Sequence, residues 1–109
     1  MPQQDQQHAM TQHSVKTTDG LMLHVQTWGE PTATPVILVH GYPDSHTVWT
    51  QIAEQLADQY YVIAYDVRGA GQSDVPKTIR AYRLEQLAQD LASVSRALLG
   101  ERPFHLVAH

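Results

Sequence analysis

The chain has 109 residues, with 42% hydrophobic and 17% charged content, a formal net charge of -4 and no cysteine. That balance excludes a disordered polymer, leaves no basic stripe for nucleic acid, and rules out disulfides and thiolate chemistry. No apolar run approaches bilayer length and the N-terminus lacks a basic-then-apolar leader, so the expectation is a single small cytoplasmic domain without a membrane partner.

Residues 1–13, MPQQDQQHAMTQH, are rich in glutamine and have no apolar period, and are expected to form a disordered tail, leaving 14–109 as the domain. SVKTT and LMLHVQTW then flank Asp19-Gly20, the strongest short-range signal for an antiparallel hairpin closed by a type I′ turn. After the loop GEPTATP the pattern changes. PVILVH is apolar on both faces, as a central parallel strand requires. Val48, Trp49, Ile52, Ala53, Leu56 and Ala57 recur at helical spacing, and YYVIAYD is a second buried strand leading into the loop VRGAGQSDVP.

A second helical stripe follows in Leu84, Leu87, Leu91, Val94 and Leu98. Gly100 stands where a left-handed C-cap belongs, and Arg83 occupies the N-cap place where serine or threonine would serve better. FHLVAH is expected to be a third buried strand. The order is a hairpin followed by parallel β-α-β-α-β, an α/β layer with helical crossovers. An apolar last strand with no element to cover it is a liability, and predicts a truncated domain whose remainder, or a second copy, pairs with that strand.

Chemistry in open α/β sheets gathers beyond the carboxyl ends of the strands, where His40-Gly41-Tyr42-Pro43 falls. Gly41 permits a sharp change of direction and Pro43 a fixed turn, which leaves the Tyr42 N–H free of the ladder and aimed at the crevice. A fixed backbone donor of that sort is what oxyanion stabilisation requires.

HGYP after one buried strand, YDVRGAGQSD after the next and FHLVAH as the third together resemble the α/β-hydrolase fold family, over Ser14 to His109. HGYP and VAH look most like the branch of epoxide hydrolases and haloalkane and haloacid dehalogenases. The resemblance implies that Tyr42 supplies half of the oxyanion hole and that His40 and Gly41 shape its loop. Tyr42 and Pro43 would line the substrate site, and the nucleophile would directly follow His109. In that branch the nucleophile is an aspartate; a serine there would mean an esterase or lipase. The intact relative would act on a small organic epoxide, halide or ester without a cofactor. The acid, the base and the cap of such an enzyme are not among these 109 residues, so the chain alone is expected to be inert. A further possibility is a non-catalytic piece of a hydrolase–reductase fusion.

Other residues invite catalytic readings that structural roles answer better. Ser73 lacks the Gly-x-Ser-x-Gly frame, since Val75 stands two residues later, and is expected to fix its loop by hydrogen bonds. RGAGQS lacks the third glycine of a dinucleotide fingerprint. Asp66 and Arg68 are expected to brace the loop through an Asp66–Arg68 or Arg68–backbone contact, and Asp44 to cap the first helix. His24, His46 and His105 have no ligand spacing, so no metal is expected, and Trp28 and Trp49 are assigned to the core.

Overall fold

The computed structural model describes residues 10–40 and 50–108. They form a five-stranded mixed sheet in the order β1-β2-β4-β3-β5. The strands are β1 (Thr11–Lys16), β2 (Met22–Trp28), β3 (Thr34–His40), β4 (Tyr60–Asp66) and β5 (His105–Ala108), and the helices are α1 (Thr50–Leu56) and α2 (Leu84–Leu99). β1 and β2 are antiparallel, as are β2 and β4, whereas β3 runs parallel to both β4 and β5. The chain therefore leaves β3, crosses through α1 to β4 on one side, and returns through α2 to β5 on the other.

The two-faced apolar runs sort cleanly. Val36, Leu38, Val62 and Ala64 pack with Trp28, Ala53 and Ala57 on the α1 face. Ile37, Tyr61, Ile63 and Tyr65 pack with Val15, Leu23, Val25, Val94 and Leu99 on the α2 face. Alternate residues of one strand thus feed two separate cores, as the period of 2 demands. Val94 is completely buried, and covering a side chain of that size contributes roughly 1.5–3 kcal/mol.

Several expectations are corrected. The tail boundary moves, because Thr11, Gln12 and His13 belong to β1, in register with Thr27, Gln26 and Val25. Backbone pairing and the 3.1 Å contact between His13 Nε2 and Thr27 Oγ1 order these polar residues without an apolar face. The hairpin does not close through a type I′ turn. Among the described residues no non-glycine has positive φ, and only Gly20, at +92°, turns left-handed there. Thr17 and Leu21 pair across a three-residue loop, with Gly20 N–H donating to the Thr17 carbonyl at 3.0 Å. A loop of that length needs positive φ at its last position alone, which leaves Asp19 in ordinary backbone with its carboxylate free to act elsewhere.

In α2 the first apolar residue, Leu84, is 79% exposed, and the residues the helix buries are Asp90, Val94 and Leu99. The helix meets the sheet through its later turns. Its N-cap is Arg83, with no side-chain cap, and Gly100 ends it at φ 63°. In α1, Ile52 is exposed and Ala53 is the buried residue; Val48, Trp49, Asp44 and His46 lie outside the described residues. β5 is an edge strand, not a buried one, with Leu106 49% and Val107 42% exposed. Trp28 is core, as expected, at 2% exposure. No helix among the described residues is long and apolar enough to cross a membrane.

Candidate active site

The carboxyl ends of β3, β4 and β5 lie side by side. His40 stands opposite Asp66, and Val39 stands between Tyr65 on one side and Ala108 on the other. The two strand tips that a hydrolytic site needs as neighbours, one leading to Gly41 and one to His109, are therefore adjacent. Gly41, Tyr42, Pro43 and His109 themselves lie outside the described residues, and the description of His40 is confined to its backbone.

What supports this end of the sheet is the loop that follows β4. Asp66 is fully buried and its carboxylate accepts the Gln72 N–H at 2.9 Å. The Ser73 hydroxyl donates to the Asp66 carbonyl and accepts the His24 N–H at 2.8 Å. Asp74 closes the seam. Its N–H donates to the Met22 carbonyl and its carboxylate accepts the Met22 N–H, both at 2.9 Å. Ser73 and Asp74 thus stitch the loop to the start of β2. With its hydroxyl held between two backbone groups, Ser73 is a strut in this arrangement.

Arg68 lies at the centre of the bracing, and its carboxylate partners were not found from the sequence. Its guanidinium is fully buried and forks to two carboxylates. Nε and Nη2 donate to Asp90 of α2, both at 2.7 Å, and Nη1 and Nη2 donate to Asp19 of the hairpin turn, both at 2.9 Å. The planar fork of arginine suits two such bidentate contacts, where a lysine would offer a single point charge. Gln86 adds a donor to Asp90 at 3.1 Å, and the Thr17 hydroxyl one to Asp19 at 2.6 Å. One side chain thus ties hairpin, loop and helix together beneath the strand ends. Asp90 was visible as a signal, because a carboxylate stands three residues after Leu87 and four before Val94, inside the buried stripe. Asp19 carried no such signal.

The charges respond accordingly. Hydrogen bonds from Arg68, then Thr17, hold the Asp19 carboxyl well below the usual carboxylate range. Its bonds to Asp19 and Asp90 raise Arg68 further above an already high value. Burial, then the Asp90 charge, pushes the Tyr65 phenol up, so it stays neutral. A group whose folded pKa is depressed stabilises the fold above its unfolded value, about 4 for aspartate, and loses that contribution as pH falls toward the folded value. Urea midpoints should therefore fall in the wild-type chain as pH drops below about 4, and fall less steeply in Asp19→Asn. Parallel profiles would remove Asp19 from the account.

Parallel strands whose carboxyl ends lie side by side, joined through helices on both faces of the sheet, define an α/β fold. The family model for the alpha/beta hydrolase fold matches residues 34–109, and the chain belongs to that family. It is 40% identical over 95 residues to the probable oxidoreductase EphD of Mycobacterium tuberculosis, covering 87% of this chain and 16% of that one. With epoxide hydrolase A of the same organism it shares 41% identity over 86 residues, 78% of this chain and 27% of the relative. Among solved structures, an epoxide hydrolase from Vigna radiata superposes with a TM-score of 0.83 at 29% identity, over 92% of this chain and 32% of its own. The chain is epoxide hydrolase-like, and spans less than a third of each of these three proteins.

Proposed function

We propose that this chain is the oxyanion side of an epoxide hydrolase-like active site. The adjacency of the β3 and β5 tips is the observation that carries the reading, because the strand that leads into Gly41 is then the neighbour of the strand that leads into His109. In the whole protein a carboxylate following His109 would attack an electrophilic carbon of a small epoxide, breaking its C–O bond and leaving a hydroxy ester once the epoxide oxygen takes a proton from an acid of the whole protein or from water. A water deprotonated by a histidine would then attack the ester carbonyl, the Tyr42 N–H would bind the oxyanion that develops there, and its collapse would break the acyl–oxygen bond, with the histidine's proton passing to the departing diol and the carboxylate restored. In that reading His40 and Gly41 would set the backbone path of that donor, and Tyr42 and Pro43 would line the substrate side. Asp66, Arg68 and Ser73 support the loop beneath, without touching substrate. A lone oxyanion donor has nothing to stabilise, so the 109 residues alone should give no turnover.

The test is a chimera in which the matched residues of this chain replace their counterparts in epoxide hydrolase A of Mycobacterium tuberculosis. It should hydrolyse styrene oxide, and brief mixing should trap an ester on an aspartate by mass spectrometry. A folded chimera that turns over no styrene oxide would overturn the reading. The likeness to a probable oxidoreductase favours a second reading, a parent in which this fold accompanies a redox domain. A G-x-G-x-x-G fingerprint in that parent would support it.

A further inference from the structure

We infer that the hollow between β1 and α2 is a binding site for a small phosphomonoester, separate from the active site. It lies at the opposite edge of the sheet from β5, with β2 and β4 between it and the tips of β3 and β5. It therefore stands whether or not the proposed chemistry does.

The hollow has a volume of about 350 Å³, at the lower end of the roughly 300–1,000 Å³ that small-molecule sites occupy. Ser14, Val15 and Lys16 line it from the strand, and Ser93, Arg96 and Ala97 from the helix. The spacing explains the convergence. Residues 93, 96 and 97 share one face of a helix, and β1 is an edge strand, over which lysine's flexible four-carbon stem can carry its ammonium.

The lining is unbalanced in charge. The chain has 11 acidic residues against 7 lysines and arginines, yet two cations and no carboxylate line this hollow. Among the described residues neither Lys16 nor Arg96 enters an ion pair. The buried acid of α2, Asp90, is already committed to Arg68. The hydroxyls are uncommitted as well. Ser95 donates to the Ala92 carbonyl at 3.1 Å, a common use of a helical serine. Ser14 and Ser93 make no side-chain hydrogen bond among the described residues.

Two unpaired cations fit a dianion, since a monoanion would leave one charge uncompensated. A phosphomonoester carries about −1.5 to −2 charge at neutral pH and presents three acceptor oxygens. It matches the guanidinium fork bidentately and leaves an oxygen for the ammonium and the hydroxyls. Val15 and Ala97 give the ester's organic group its apolar contact.

The experiment titrates the 15N-labelled 109-residue chain with phenyl phosphate at neutral pH and constant ionic strength. Amides of residues 14–16 and 93–97 should shift and saturate in the millimolar range, and sodium chloride should not move them. Lys16→Gln and Arg96→Gln, both at exposed sites, should each weaken binding at least about tenfold, as loss of one charge-assisted hydrogen bond does. Lys77→Gln removes an exposed cation outside the hollow and should bind like wild type. Shifts that never saturate, that chloride reproduces, or that persist when Lys16→Gln and Arg96→Gln are combined would overturn the inference. So would binding to vesicles containing phosphatidic acid without any response to phenyl phosphate.

Discussion

Replacing Arg68 with methionine should cost about 3–5 kcal/mol, the usual cost of leaving a buried charge without its partner. A domain of this size has only about 5–15 kcal/mol of stability in total. The guanidinium is fully enclosed and Asp90 nearly so, at 0% and 3% side-chain exposure, whereas Asp19 is 38% exposed. Removing the arginine therefore strands Asp90 far more than Asp19, which water can solvate. That asymmetry gives the prediction its sharper half. Adding Asp90→Leu to Arg68→Met removes the stranded charge, and replacing a buried pair with apolar groups is often near neutral. The double variant should recover at least about 2 kcal/mol of the single variant's loss. Arg68→Lys should fall between wild type and Arg68→Met, since it keeps the charge and loses both forks. Urea denaturation of the four proteins measures all of this. A double variant that recovers none of the Arg68→Met loss would show that the two residues do not act as a pair.

Gly71→Ala should be the second severe change. Gly71 sits at φ +52°, and a Cβ there would fall on the buried Asp66 carboxylate, inside contact distance of all three of its heavy atoms. The left-handed backbone alone costs a side chain roughly 1–2 kcal/mol. Displacing the Asp66 carboxylate from the Gln72 N–H adds about 1.5–3 kcal/mol, the usual worth of a hydrogen bond to a charged group. Gly20 is the control, with φ +92° and nothing within 4 Å of an added Cβ. Gly20→Ala should show the backbone penalty alone. Because Asp66 is in register with His40, amide shifts in Gly71→Ala should extend to residues 40–43, and those in Gly20→Ala should stay in the hairpin. Equal losses in the two variants would mean that the Asp66 contact is unimportant.

The residues differ in how much of this they announced. VILV and YVIA are apolar at every position, as a strand buried on both faces requires, and their separation by a helical pattern gave the parallel pairing of β3 with β4. The strands' order across the sheet is not in that pattern. Local pattern also could not give the Arg68 clamp, because Asp19 lies 49 residues away in sequence and resembles an ordinary turn aspartate. The turn type was missed for the same reason: Asp-Gly favours type I′ in isolation, but here the loop is one residue longer. β5 was read as buried because its composition matches β3, yet burial depends on what lies beyond an edge. Leu84 fits the apolar period of α2 and still faces water, since periodicity marks a face without saying how far along the helix the sheet extends.

The proposed function requires a Tyr42 amide that is free of the strand ladder and close to the segment following β5. A 15N-edited NOE spectrum of the uniformly labelled chain, recorded with amide exchange, tests it directly. The account predicts a fast-exchanging Tyr42 amide with a cross-peak to the backbone of His109. A Tyr42 amide protected like those of β3 and β4, with no contact to His109, would contradict it.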